Sequence, residues 1–165
     1  MKDKIQNKDK TLLELTFAVK NGLTVDELLN KTLPYYIDVI NCKAAFVIEN
    51  KQELRVEKAF PEIYTTKNDI KNTLAYLNKQ STQTYLEESY YDVVETQNDL
   101  HHIFKLSDYG YIILIKSQDI SSRMETDLIA VFQFYGEVLM NSESLESQRL
   151  IEQQIKYEKE IESLL

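Results

Sequence analysis

The stretch HHIFKLSDYGYIILIK, residues 101–116, decides the fold. His101 to Leu106 and Tyr111 to Lys116 are two six-residue runs dominated by apolar, β-branched and aromatic side chains, the composition of strands. Between them stands Ser107-Asp108-Tyr109-Gly110. Its Gly supplies the positive φ that a short hairpin connection requires. The spacing predicts an antiparallel hairpin, and so a sheet around which the rest of the chain is organised.

Upstream, Tyr90 to Glu95 (YYDVVE) reads as a third strand, and Ser81 to Glu95 as a whole is the least patterned part of the chain. Asn68 to Lys79 has Ile70, Leu74 and Leu77 at helical spacing, with Asn68 or Asp69 as the cap. Lys43 to Glu49 (KAAFVIE) is a short apolar run. Glu53 to Phe60 (ELRVEKAF) alternates, placing Leu54, Val56 and Phe60 on one face. Asn50-Lys51-Gln52 reads as the hairpin connection between them, and Pro61 as the stop. Before these, Thr24 and Glu27 form a capping box, and Leu28, Leu29, Leu33, Tyr36, Ile37 and Ile40 line one helical face. Pro34 falls inside that helix and predicts a kink there. Lys10 to Asn21 is a further helix, with Leu12, Leu15 and Val19 as its stripe, Leu13 and Phe17 widening it, and Gly22 as its stop.

Downstream, the last helix starts at Ser122, paired with Glu125 as a capping box, and meets no Gly or Pro except Gly136 as far as Leu165. Its first half carries a broad apolar stripe of Leu128, Val131, Phe132, Tyr135, Val138 and Leu139, suited to packing on the chain's own sheet. Its second half narrows to a seam of Leu150, Gln154, Tyr157, Ile161 and Leu164, flanked by Glu and Lys, which is coiled-coil spacing over two heptads. The same pattern would also suit an amphipathic tail folding back on its own domain. Leu164-Leu165 is an apolar ending without a capping Gly, which suggests that the natural helix continues. The expected fold class is therefore α+β, an antiparallel central sheet flanked by helices with a long C-terminal helix. Residues 1–142 form the domain and residues 143–165 a helical extension.

Composition sets the outer limits. The chain has 165 residues, of which 43% are apolar, enough for a core in one domain. The net charge of −8 argues against a nucleic-acid partner, which needs clustered Lys and Arg. No run approaches the length of a membrane span, and Met1 to Lys10 lacks the apolar core of a signal peptide. With Cys42 as the single cysteine, these features point to the cytoplasm.

No catalytic residue and no metal-ligand set emerges. His101 and His102 are adjacent on a strand, so their side chains leave on opposite faces and cannot chelate one ion. Cys42 reads as a buried structural thiol. Glu87-Glu88 and the Glu158-Lys159-Glu160 run read as solvated charge. The eleven tyrosines and six phenylalanines either fill the core or line a cavity on the sheet. If a cavity exists, its candidate lining is Phe46, Phe60, Tyr64, Tyr76, Tyr91 and His102.

The element order, together with Leu12 to Val47, the closing hairpin Ile103 to Ile115 and the helix Asp127 to Asn141, resembles a GAF domain, the sensory fold related to PAS. The likeness is strongest to GAF-like input domains of bacterial sensor histidine kinases and covers roughly residues 10 to 142. It implies a non-catalytic sensory module that dimerises through its terminal helices and passes a ligand- or partner-induced change to an output domain that this chain does not contain. The family's cyclic-nucleotide signature and its pigment-attaching Cys-His pair have no counterpart here, and its sulfoxide-reducing cysteines are not matched by the single Cys42. The cofactor and the small-molecule ligand are therefore left unnamed. Two other readings stand beside this one. One is a small-molecule enzyme on the same fold with a His-containing pocket. The other is a structural dimerisation spacer.

Overall fold

The computed structural model describes residues 23–62, 68–81, 91–96 and 98–164. In chain order these form α1 (Val25–Ile40), β1 (Ala44–Asn50), β2 (Leu54–Phe60), α2 (Asn68–Ser81), β3 (Tyr91–Glu95), β4 (Leu100–Leu106), β5 (Gly110–Lys116) and α3 (Ser122–Leu164). The helix expected over Lys10 to Asn21, together with Tyr64, Tyr85, Glu87-Glu88, Tyr90 and Leu165, lies outside the described residues.

The five strands make one antiparallel sheet in the order β2-β1-β5-β4-β3. The hairpin that decides the fold supplies its centre. β5 pairs with β1 on one side and β4 on the other, and every one of its residues is buried. A strand buried on both faces needs a layer on each. Ala45, Val47, Phe104, Leu106, Ile112 and Leu114 face α1 and α3. Ala44, Phe46, Ile48, Ile103, Ile113 and Ile115 face Ile70 and Leu77 of α2. At about 1.5–3 kcal/mol for each large apolar side chain removed from water, these two layers are the main source of stability. The α+β architecture expected from the pattern is the one observed.

α1 begins as its capping box requires, with the Glu27 amide donating to Thr24 Oγ1 at 3.2 Å and the Thr24 amide to Glu27 Oε1 at 3.3 Å. The helix runs on through Pro34 as a single element. It ends on Asn41 in the left-handed region (φ 61°), whose amide returns to the Ile37 carbonyl. No basic residue lies in its own last turn. Lys116 of β5 provides one: its buried Nζ donates to the Ile40 carbonyl at 2.6 Å. A cation at the negative end of a helix is favourable, and here it also satisfies a carbonyl that the helix leaves open.

Two sequence expectations are corrected. Leu54, Val56 and Phe60 do not share a face. The register between β1 and β2 shifts so that Val47 opposes Lys58 and Ile48 opposes Val56, leaving Glu57 as an extra residue. One extra residue reverses the alternation. Leu54 and Val56 therefore face α2, while Phe60 opposite Ala45 turns to the α1/α3 side, 40% exposed. The cap of α3 is Ser121, not Ser122: Ser121 Oγ accepts from the Met124 amide at 3.1 Å and its carbonyl from the Glu125 amide. With two serines in succession, the Glu125 spacing had favoured the second.

Gly136 sets how closely α3 lies on the sheet. A Cβ there would stand 2.1 Å from the Leu106 carbonyl oxygen and 2.8 Å from its Cα, atoms of backbone that cannot rotate away. Gly136→Ala gains helix propensity, about 1 kcal/mol, but overpacks this contact. Urea unfolding of the variant should show a net loss of about 1–3 kcal/mol. An unchanged midpoint would mean that α3 is not seated against β4 in this way.

Candidate functional site

The sheet divides the residues proposed as a pocket lining. Phe46 is fully buried on the α2 side, between the β2 and β5 partners Ala59 and Ile113. Tyr76, on α2, donates its hydroxyl to the carboxylate of Asp92 on β3. Tyr91 and His102 lie on the opposite side, against the α1/α3 layer. Phe60 is on that side too, at the far edge strand. One cavity cannot hold them all, because five strands of backbone separate them. Tyr64 lies outside the described residues.

The two histidines leave β4 on opposite faces, as adjacent strand positions must. His101, buried, is within 2.7 Å of Thr73 Oγ1 on α2. His102, also buried, places Nδ1 2.8 Å from the Tyr91 hydroxyl, with Nε2 3.4 Å from the Gln118 carbonyl. Since a carbonyl only accepts, Nε2 carries the proton and Nδ1 accepts from Tyr91, the arrangement of a neutral imidazole. The rings of Tyr91 and His102 lie 12° from parallel with centroids 6.0 Å apart, and Tyr91 packs in turn on Phe104. Burial holds the His102 pKa below its ordinary value, against the raising effects of the Gln118 carbonyl and Asp119. Burial, then the carboxylates of Asp119, Glu125 and Asp92, push the Tyr91 phenol up. This is a satisfied polar pair in a packed wall. Among the described residues no group of His, Cys, Asp and Glu is placed to hold a metal ion. Cys42 is half-buried, and burial pushes its thiol up to about 12, so it is protonated and unreactive at neutral pH.

An open cleft of ≈ 350 Å³ lies instead at the β1–β2 hairpin, lined by Glu49, Lys51, Gln52, Glu53 and Arg55. Its two cations, Lys51 and Arg55, both pair with Glu49. Lys51 Nζ sits 2.8 Å from Glu49 Oε1, and Arg55 Nη2 sits 3.4 Å from both Glu49 Oε2 and Glu57 Oε2. Burial raises the Glu49 carboxyl, but the bond from Lys51 and the nearby cations outweigh it and hold it low. Burial and the neighbouring Glu49 raise Glu57.

The sharpest feature is α3. At 43 residues it is about 65 Å long. Its buried side runs from Leu128 to Ser142, and every residue from Ser147 to Leu164 is exposed. The seam expected from the heptads stands in solvent, with Leu150 67%, Tyr157 54%, Ile161 59% and Leu164 84% exposed, and Gln154 among them. Single exposed apolar residues are ordinary, whereas here Leu150, Tyr157, Ile161 and Leu164 fall in one row, interrupted by Gln154. Ile151 and Ile155, 58% and 46% exposed, add an i, i+4 pair beside the seam that the heptad reading passed over.

Where α3 leaves the domain it is fastened by polar groups. Ser142 Oγ donates to the Leu23 carbonyl. Glu146 Oε1 accepts from the Val25 amide at 2.6 Å, so a carboxylate sits on the open N–H groups and positive end of α1. Lys51 of the hairpin reaches Glu143 at 3.5 Å. No local signal pointed to these residues, because their partners are 119 and 121 positions away. No helix among the described residues is long and apolar enough to cross a membrane. Comparison of the sequence with known protein families finds no match, and neither does comparison with curated proteins.

The neutral, buried His102 has a consequence for stability. Its folded pKa lies below the unfolded value, so on acidification the unfolded chain takes up the proton first. Stability present above about pH 6.5 is lost as the pH falls below it. Chemical denaturation between pH 7 and 5 should show this decline, and His102→Asn should flatten it. Glu57, whose pKa is raised, contributes the opposite slope in both proteins and cancels in the comparison. Parallel pH profiles would place His102 in contact with water.

Proposed function

We propose that this chain is a non-catalytic, cytoplasmic sensory and dimerisation module, a GAF-like input domain of a signal-transduction protein of the sensor histidine kinase type. The observation that carries the reading is the projecting half of α3. Eighteen residues, Ser147 to Leu164, lie beyond the domain's own core and bear the apolar seam. Propensity alone makes the outer half of such a helix only marginally stable in water, and a partner for its seam adds packing to it. The element order, two strands, a helix, three strands and a long helix, agrees with the resemblance.

In this reading two copies pair through their terminal helices. A ligand or partner acting on the sheet layers alters how α3 sits at β4 and α1. The rigid helix carries that change outward to an output domain. Multi-angle light scattering at about 10–100 μM, a range that spans ordinary dimer affinities, should report two copies. Deleting Ser147 to Leu165 should leave one. A full chain that stays monomeric at about 1 mM, where even weak pairing is populated, would remove dimerisation from the proposal.

A further inference from the structure

The cleft at the β1–β2 hairpin gathers more negative charge than its own cations balance. Glu49 and Glu53 lie in its wall, and Glu57 and Glu143 join it through their pairs with Arg55 and Lys51. Four carboxylates are thus set against two cations. Glu49 is only 5% exposed, and both Lys51 and Arg55 are drawn to it. Burial and the Glu49 carboxylate raise Glu57, as expected of an acid with too little positive charge beside it.

A second feature of the same place is independent of that balance. Tyr109 is 4% exposed, and its hydroxyl has no hydrogen-bond partner among the described residues. A buried hydroxyl without a partner is costly, so native structures rarely keep one. The Tyr109 carbonyl accepts from the Asn50 amide at 3.0 Å, which fixes the residue against the hairpin. Burial, then Glu57, Glu49 and Glu143, raise the phenol, which places its hydroxyl in the field of the cleft's carboxylates. We propose that this cleft binds a linear alkyl polyamine, with one ammonium group held by Glu49, Glu57 and the Tyr109 hydroxyl and a second by Glu53 or Glu143.

Charge, donors and shape select this ligand class. Two unmatched negative charges call for two positive ones. An ammonium carries N–H donors for carboxylate and phenol oxygens alike, whereas no group of described side chains is placed to hold a metal ion. The cleft of ≈ 350 Å³ has room for a chain of methylene groups, and the stems of Lys51, Gln52 and Arg55 offer it apolar surface. The resident cations give way readily, because Lys51 and Arg55 are exposed and surface ion pairs are weak. A water would satisfy the hydroxyl but leave the charge. A polyamine here competes with Lys51 for Glu49 and Glu143, and so acts where α3 leaves the domain. As the signal of a sensory module the ligand rests on the function proposed above, whereas the site itself does not.

The test is calorimetric titration of the full chain at low ionic strength. Spermidine and putrescine should bind, while butylamine, with one charge, should bind about tenfold more weakly or not at all. Mg²⁺ should do no better than butylamine. Mg²⁺ binding as tightly as spermidine would mean general charge screening and overturn the proposal, as would no heat from spermidine at about 10 mM. Glu49→Gln should weaken spermidine by about tenfold or more, and Tyr109→Phe by about threefold or more. Arg55→Ala, which removes a competitor at an exposed position, should tighten it. Equal affinity in Tyr109→Phe leaves the hydroxyl to water and counts against the site. Should Glu49→Gln unfold, Arg55→Ala still decides, since unchanged or weaker binding there overturns the proposal. Light scattering on the same samples separates this from the pairing of copies. Spermidine binding in a protein that never dimerises removes the pairing and leaves the site, and a dimer that takes up no spermidine does the reverse.

Discussion

The described part of this molecule is arranged around one strand that is buried along its whole length. β5 is hydrogen-bonded along both edges and covered on both faces, with Ile112 and Leu114 turned to α1 and α3 and Ile113 and Ile115 to α2. Its polar end is used as well, since Lys116 closes the C-terminus of α1. A doubly covered central strand forces a three-layer arrangement, and the Gly110 turn makes it possible. At φ 156° and with a Cβ position only 1.9 Å from the Ile48 carbonyl oxygen, that glycine lets the β4–β5 connection lie against β1. The layers then decide which side chains can meet, and the consequence reaches the functional surface. Tyr91 and His102 lie on one side of the sheet and Phe46 and Tyr76 on the other, so they do not line one common cavity.

The elements were legible because their signals are local. A period of two, a period of 3.6, a Thr-Glu capping box and a Gly turn each act over a few residues, and the observed strands begin and end within a residue of the patterned runs. What escaped was long-range or parity-dependent. The extra Glu57 reverses the facing of β2, and nothing in ELRVEKAF announces it, since both alternations place apolar residues inward for part of the run. The described members of the candidate lining were split for a related reason: choosing aromatic residues by type ignores the side of the sheet on which each one points. The exposed row on α3 was visible in the heptad spacing, because a narrow apolar stripe leaves most of a helix in solvent. Its anchoring through Ser142 and Glu146 was not, because the fold alone brings them to Leu23 and Val25.

That anchoring is where fold and proposed function meet. The domain-bound half of α3 is held by apolar packing, with Phe132 and Tyr135 edge-on to Tyr36 and Gly136 pressed to Leu106. Close packing of this kind moves as a block. The projecting half has no such support, and between the two stand Ser142, Glu143 and Glu146, whose partners come from the start of α1 and from the β1–β2 hairpin. Apolar contacts resist separation but tolerate sliding, whereas directional bonds fix register. The helix is therefore gripped by packing and indexed by polar bonds, and both act within about four turns of each other.

In the proposed function, such an arrangement converts small displacements into defined ones. A shift of α1 along its axis pulls Leu23 and Val25 away from Ser142 and Glu146, and a shift of the hairpin pulls Lys51 from Glu143. Each bond so broken is individually modest, about 1 kcal/mol for a neutral pair and somewhat more for one to a carboxylate. Sums of that size are enough to bias two packings of a helix pair, since a factor of ten in population needs only about 1.4 kcal/mol. The bulk of the folding energy, held in the layers around β5, need not change at all. In the proposed function, stability rests on the packed part of the helix and signalling on the part beyond Ser142, Glu143 and Glu146.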